Sequence, residues 1–222
     1  MRELMNGIQI SELVYGSPTK HQYDSMLNQG PLLKKVLENT DTIKLFFDKK
    51  YPSNISPEVR IELKELQKLT KNISKKDLDF AKKSESDHYE SWVSFLYDMG
   101  ISVPVSFFNN IEKQTDGLIY TLKYHYNRPR PFQLGYYHKL PVMQTISSNA
   151  NSPAFPSGHA FEARLFCLIL SKKYPFAQQK LETFATNHAE SRLHAGVHYR
   201  SDMNFGHELA DWAFSTKLFD NL

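Results

Sequence analysis

The chain has one cysteine, Cys167, in 222 residues. A single thiol cannot close an internal disulfide, so stapling is excluded as a source of stability and a reducing compartment is the plain expectation. Long apolar runs are missing too. The longest, 165–170, has six residues, against the ~20 that a membrane-spanning helix needs. A mean hydropathy of -0.50 agrees. Charge of one sign is scarce: 27 basic and 24 acidic residues leave a net +3, too balanced to argue for a nucleic acid polymer as partner. The lysine-rich stretch 71–83 is interleaved with Asp77 and Asp79 and reads as a solvated face. No internal repeat, low-complexity segment or alternating strand pattern is present. The opening MRELMNGIQISEL carries charge and no apolar h-region, so no secretory signal is visible. The expected location is the cytoplasm, or the periplasm if a signal has been removed.

What is present suits a core. The chain is 41% hydrophobic and 13% aromatic, and at this size about 70% of the unfolded surface can be buried. Ser56-Pro57-Glu58 reads as a helix start, a capping hydroxyl with proline at the first helical position. Val59, Leu63, Leu66 and Leu69 follow at helical spacing. Tyr89, Trp92, Val93, Leu96 and Tyr97 make a second stripe, read as core rather than as a lid, and Gly100 and Pro104 break it. A third helix is predicted over 117–127, stopped by Pro129 and Pro131. Residues 132–155 read as loop. Further helices are predicted from Ser157 to before Pro175, over 176–190, and from His198 to Phe219. The reading is an all-α helical bundle in a single domain over 1–222, with 1–110 as a helical N-terminal part and the chemistry in 117–219. Cys167 reads as a core residue. Whether 1–90 is lid, interface or scaffold stays open, as does monomer against homo-oligomer.

Three segments concentrate residues that are costly to bury and useful to a reaction. Lys123 lies on a helix, and Arg130 follows in a Pro-Arg-Pro segment that leaves it. Proline stiffens the backbone there, so Arg130 is presented with little entropy to lose. Arg192 adds a third cation. Arginine's fork matches two phosphate oxygens and lysine acts as a point charge, so three cations suit a dianion. Pro156-Ser157-Gly158-His159 opens a helix whose free N–H groups and dipole favour an anion, with the Ser157 hydroxyl at the cap and no side chain at Gly158 to block approach. His198 and Asp202 are four apart, and on a helix they share a face. An aspartate on one ring nitrogen leaves the other free to attack, while His159 can protonate a leaving group. Gly206 and Ala210 continue the Asp202 face and suit close helix packing.

Lys-x6-Arg-Pro, Pro-Ser-Gly-His and Ser-Arg-x5-His-x3-Asp resemble the tripartite signature of the type 2 phosphatidic acid phosphatase (PAP2) superfamily, in the version of the soluble bacterial class A non-specific acid phosphatases. Its positions here are Lys123, Arg130, Pro131, Pro156, Ser157, Gly158, His159, Ser191, Arg192, His198 and Asp202. The resemblance implies the helical fold shared with the vanadium haloperoxidases and a metal-independent phosphatase acting on small phosphorylated substrates such as phosphomonoesters or nucleotides. It implies that Lys123, Arg130, Arg192, Ser157 and the Gly158 amide bind phosphate. His198 is then the nucleophile that forms a phosphohistidine, Asp202 orients it, and His159 is the acid and base. No metal and no cofactor are implied. Arg128 lies off the spacing and is expected to be a supporting or surface cation. Ser191 is expected to bond backbone or a neighbour, steadying the loop that carries Arg192. The alternatives are a vanadium-dependent haloperoxidase, a lipid phosphate or diphosphate phosphatase at a membrane surface, a hydrolase with zinc on His194 and His198, and a non-catalytic module for phosphorylated ligands.

Overall fold

Helix starts in this chain are written as short polar side chains, several with a proline one position later, and the folded chain uses them. The computed structural model describes residues 10–146 and 150–222, and among these it contains helices and turns but no strand. Thr19 caps α1 (Lys20–Asn28) in a reciprocal box with Gln22. Pro31 opens α2 (Pro31–Leu37), and Asn39 caps α3 (Thr40–Phe47). Ser56 accepts from the Val59 amide and Pro57 takes the first position of α4 (Pro57–Lys71), as the sequence predicts. Ser74 caps α5 (Lys75–Ser86), and α6 (His88–Tyr97) follows at once. The remaining helices are α7 (Val105–Tyr126), α8 (Pro131–Tyr137), α9 (Gly158–Lys173), α10 (Gln178–His194) and α11 (Arg200–Ser215). The fold is all-α, and no helix among the described residues is long and apolar enough to cross a membrane.

Several boundaries differ from the sequence reading. The third helix begins at Val105, not 117, because Pro104 stands at its cap rather than in its way. Gly117 lies inside it, where a Cβ would come within 3.0 Å of the Gly30 nitrogen, so α1, α2 and α7 meet closely there. The stretch 132–155 is not all loop. Pro131 occupies the first position of α8, a place proline tolerates because its missing N–H is not needed. Ser147, Ser148 and Asn149 of that stretch lie outside the described residues. The fifth helix runs on to His194, so Arg192 sits in its last turn and not on a loop. The last helix begins at Arg200, so His198 precedes it.

The core is built on α9, which packs against both α10 and α11. Trp92, Phe108, Phe161 and Phe166 are fully buried, and Cys167 is buried among them as expected. The stripe of α6 is core at Trp92 and Leu96, while Tyr97 is exposed. Gly206 does allow a close approach: a Cβ there would stand 2.7 Å from the Ser157 carbonyl oxygen and 3.1 Å from the Phe161 nitrogen. The bare face of α11 thus presses on the first turn of α9.

Candidate active site

A turn and a set of buried hydrogen bonds bring the three segments together. Asn127 takes a left-handed conformation (φ 48) and ends α7 just after Lys123. The buried Lys123 ammonium donates to the Pro153 carbonyl at 2.7 Å. Beyond the turn, Arg130 caps α8 and is buried. Its guanidinium donates to Ser152 O and Val197 O, each at 2.7 Å, and reaches His198 Nε2 at 3.0 Å. His198 Nδ1 lies 3.2 Å from Asp202 Oδ2, so the pair meets although His198 is outside the helix. Asp202 is held in turn: Oδ2 accepts the Tyr199 amide at 2.8 Å and Oδ1 accepts from Arg128. Its backbone carbonyl accepts the Ser157 amide at 3.0 Å, tying the second segment to the third.

A cavity of about 280 Å³ opens on this assembly, with Lys123, Arg130, Gly158, His159 and His198 on its wall. A Cβ at Gly158 would meet only Ile119 Cγ2, at 3.7 Å. His159 Nε2 is buried without a partner. Ser157 and Arg192 do not line the cavity. The Ser157 hydroxyl accepts the Ala160 amide at 3.3 Å as a helix cap. Arg192 spends its fork on Ala81 O and Ser84 Oγ, both at 2.7 Å, with Glu85 Oε2 at 3.4 Å. Ser191 behaves as expected. Its hydroxyl donates to His188 O at 2.7 Å, accepts from Arg192 Nε at 3.1 Å and meets Ser84 Oγ at 3.1 Å.

Arg128 is not a surface cation. It is completely buried, bonded to Asp202, Glu62 and Ser201, with its guanidinium 3.8 Å from the Tyr199 ring centroid and 4.8 Å from that of Tyr51. The two arginines differ in their charge partners. Against the cost of burial, the Asp202 and Glu62 carboxylates hold Arg128 above the usual arginine value. Arg130 bonds carbonyls, a serine and an imidazole but no carboxylate among the described residues, and burial pushes it down to about 10. Burial, then Arg130, holds Lys123 well below the lysine range. Buried cations short of counter-charge cost free energy, which a bound dianion offsets. Burial and the charges of Arg130, Lys123 and Arg192 push His198 well below the usual imidazole value, so its ring stays neutral. His159 is lowered as well, by burial first and then by Arg192 and the neighbouring histidines.

Other residues at the site were not singled out for it by the sequence reading. His88 packs on His159, ring centroids 4.8 Å apart, and its Nε2 lies 3.0 Å from Glu162 Oε2. The far wall of the cavity holds Tyr89, Glu112, Asp116 and Tyr120. Glu112, Asp116 and Lys123 fall on one face of α7, a spacing that helical periodicity could have found. Among the described residues, the one group of three metal-type ligands is Glu112, Asp116 and Glu162. His194 and His198 are not brought into such a group.

Residues 104–211 match the model of the PAP2 superfamily. The non-specific acid phosphatase of Salmonella typhimurium (strain LT2) is 31% identical over 84 residues, which is 38% of this chain and 33% of that protein. The non-specific acid phosphatase of Salmonella typhi gives the same figures. The chain thus spans about a third of the length of the curated relatives it matches.

Proposed function

Residues 104–211 belong to the PAP2 superfamily, and on that premise we propose that the protein is a phosphatase that hydrolyses phosphomonoesters without a metal, through a phosphohistidine. One observation carries this reading. The chain Asp202–His198–Arg130 ends at a cavity whose buried cations, Lys123 and Arg130, have no carboxylate in hydrogen-bond reach among the described residues.

The roles follow from the atoms. Asp202 accepts the Nδ1 proton of His198, which leaves the lone pair on Nε2, the nitrogen nearest the Arg130 fork. Lys123, Arg130 and the Gly158 amide hold the phosphoryl oxygens, with the charge of Arg192 and the first turn set by Ser157 supporting them. Nε2 attacks phosphorus, and the P–O bond to the alcohol breaks. The electron pair leaves with that oxygen, which takes a proton from the imidazolium of His159, a form that the charge of the bound phosphate dianion favours over the neutral ring. In the second step His159 removes a proton from water, water oxygen bonds phosphorus, and the P–N bond breaks to return its pair to Nε2. Fixed positive charge and positioning supply most of what phosphoryl transfer needs.

The test is turnover of p-nitrophenyl phosphate in EDTA. The native protein is expected to remain active, and His198→Ala to lose about 10³-fold or more in kcat while still binding inorganic phosphate. Near-native kcat in the variant, or loss of native activity in EDTA, overturns the reading.

A further inference from the structure

The cavity has a second wall that this reaction does not use. Glu112 and Asp116 stand one turn apart on α7, and Glu162 comes from α9. Their carboxylate oxygens lie within 4.8 Å of one another, and all three residues line the cavity. Like charges this close repel strongly in a partly buried site. Among the described residues, a basic group close to the three is His88, whose Nε2 lies 3.0 Å from Glu162 Oε2. Tyr89 and Tyr120 line the same cavity. His159, one turn before Glu162 on α9, lines that cavity with its Nε2 buried and unpartnered.

We propose that this wall binds the ammonium group of an amino-alcohol phosphate, so that the preferred substrates are zwitterionic phosphomonoesters with an amine a few bonds from phosphorus. The proposal rests on the phosphatase reading of the same cavity. The spacing fits: His159 and Glu162 are three residues apart on α9, ~4.5 Å along the axis, and Asp116 and Lys123 are seven apart on α7, ~10 Å. Anion cradle and acidic wall are thus one to two helical turns apart, the reach of a phosphate plus a short aminoalkyl chain. Burial, with the charges of Glu162 and Glu112, pushes Asp116 up to about 8, and an ammonium beside the three carboxyls would offset that repulsion. A second phosphate on the substrate meets repulsion there, which gives selectivity by exclusion.

The experiment compares phosphoethanolamine with ethyl phosphate, which differ in the amine alone, using the full chain in EDTA and again with added Mg²⁺. Native kcat/KM is expected to favour phosphoethanolamine by about tenfold. Asp116→Asn and Glu112→Gln are each expected to cut that ratio by about threefold or more. Calorimetry with aminoethylphosphonate and ethylphosphonate, which cannot be hydrolysed, should show the same preference and the same loss, with circular dichroism confirming folded variants. A native ratio of one or less, or a ratio that neither variant changes, overturns the proposal. So does stimulation by Mg²⁺ that both variants abolish, which assigns the wall to a metal. Turnover of all esters with no amine preference contradicts the ammonium wall alone. No turnover of either ester or of p-nitrophenyl phosphate contradicts the phosphatase reading itself.

Discussion

Arg128 and Arg130 are two residues apart and do opposite things. Arg130 faces the cavity with no acidic partner, whereas Arg128 is locked between two tyrosine rings and bonded to Asp202 and Glu62. On the proposed mechanism, Arg128 acts through Asp202 on the orientation of His198. Arg128→Lys keeps the charge but loses the planar fork that joins two carboxylates and stacks on two rings. It is expected to lower kcat about ten- to a hundredfold, as loss of an outer partner orienting a histidine commonly does, with KM for p-nitrophenyl phosphate within about threefold of native. A rise in KM at constant kcat would instead place Arg128 in phosphate binding. The six-residue spacing in the sequence singled out Arg130 but could not reveal where Arg128 points. Its partners come from Glu62 and Tyr51, more than 60 residues earlier.

Among the elements, the contact between α11 and α9 matters most to the site. Gly206 lets the last helix touch the Ser157 carbonyl, and Ser157 begins the turn that presents Gly158 and His159. Gly206→Ala places a methyl 2.7 Å from that oxygen, so one helix must move. The expected cost is about 1–3 kcal/mol of stability, read by urea unfolding, with a loss of kcat larger than for a remote variant of equal stability. Native kcat with a shifted α11 would show that the first turn of α9 tolerates displacement. Helix starts such as Ser56-Pro57 and Ser157-Gly158, and the close packing at Gly206, were legible because they depend on local chemistry. The helix at Pro131 and the early start of α7 were not, because a proline before or at the first turn and a proline that ends a helix look alike in sequence. The acidic wall was illegible for another reason: Glu162 meets Glu112 and Asp116 only through packing of α9 on α7.

At the scale of the molecule, the N-terminal helices are scaffold and cavity wall. Helix α4 supplies Glu62 to Arg128, α5 supplies Ala81 and Ser84 to Arg192, and α6 supplies His88 and Tyr89 to the cavity. The titrating groups they enclose shape stability against pH. Burial lowers His159, His188 and His198 below the unfolded imidazole value of about 6.5. The unfolded chain then binds more protons below that pH, so stability is lost as pH falls. Asp116 has the opposite sign. Raised to about 8, its contribution is present below the unfolded value of about 4 and is lost as pH rises toward 8. Tm is expected to peak near about pH 6.5, and Asp116→Asn to flatten the alkaline limb up to about pH 8 while steepening the rise between about pH 4 and 6.5. An alkaline limb unchanged in that variant would contradict the sign assigned to Asp116.

The phosphohistidine is the claim on which the mechanism turns. The native protein is mixed with a radiolabelled phosphomonoester, quenched in alkali within a turnover and digested. The expected result is an alkali-stable, acid-labile label on the peptide that carries His198, absent from His198→Ala. Efficient turnover with no label on that peptide, or with the label elsewhere, would contradict it.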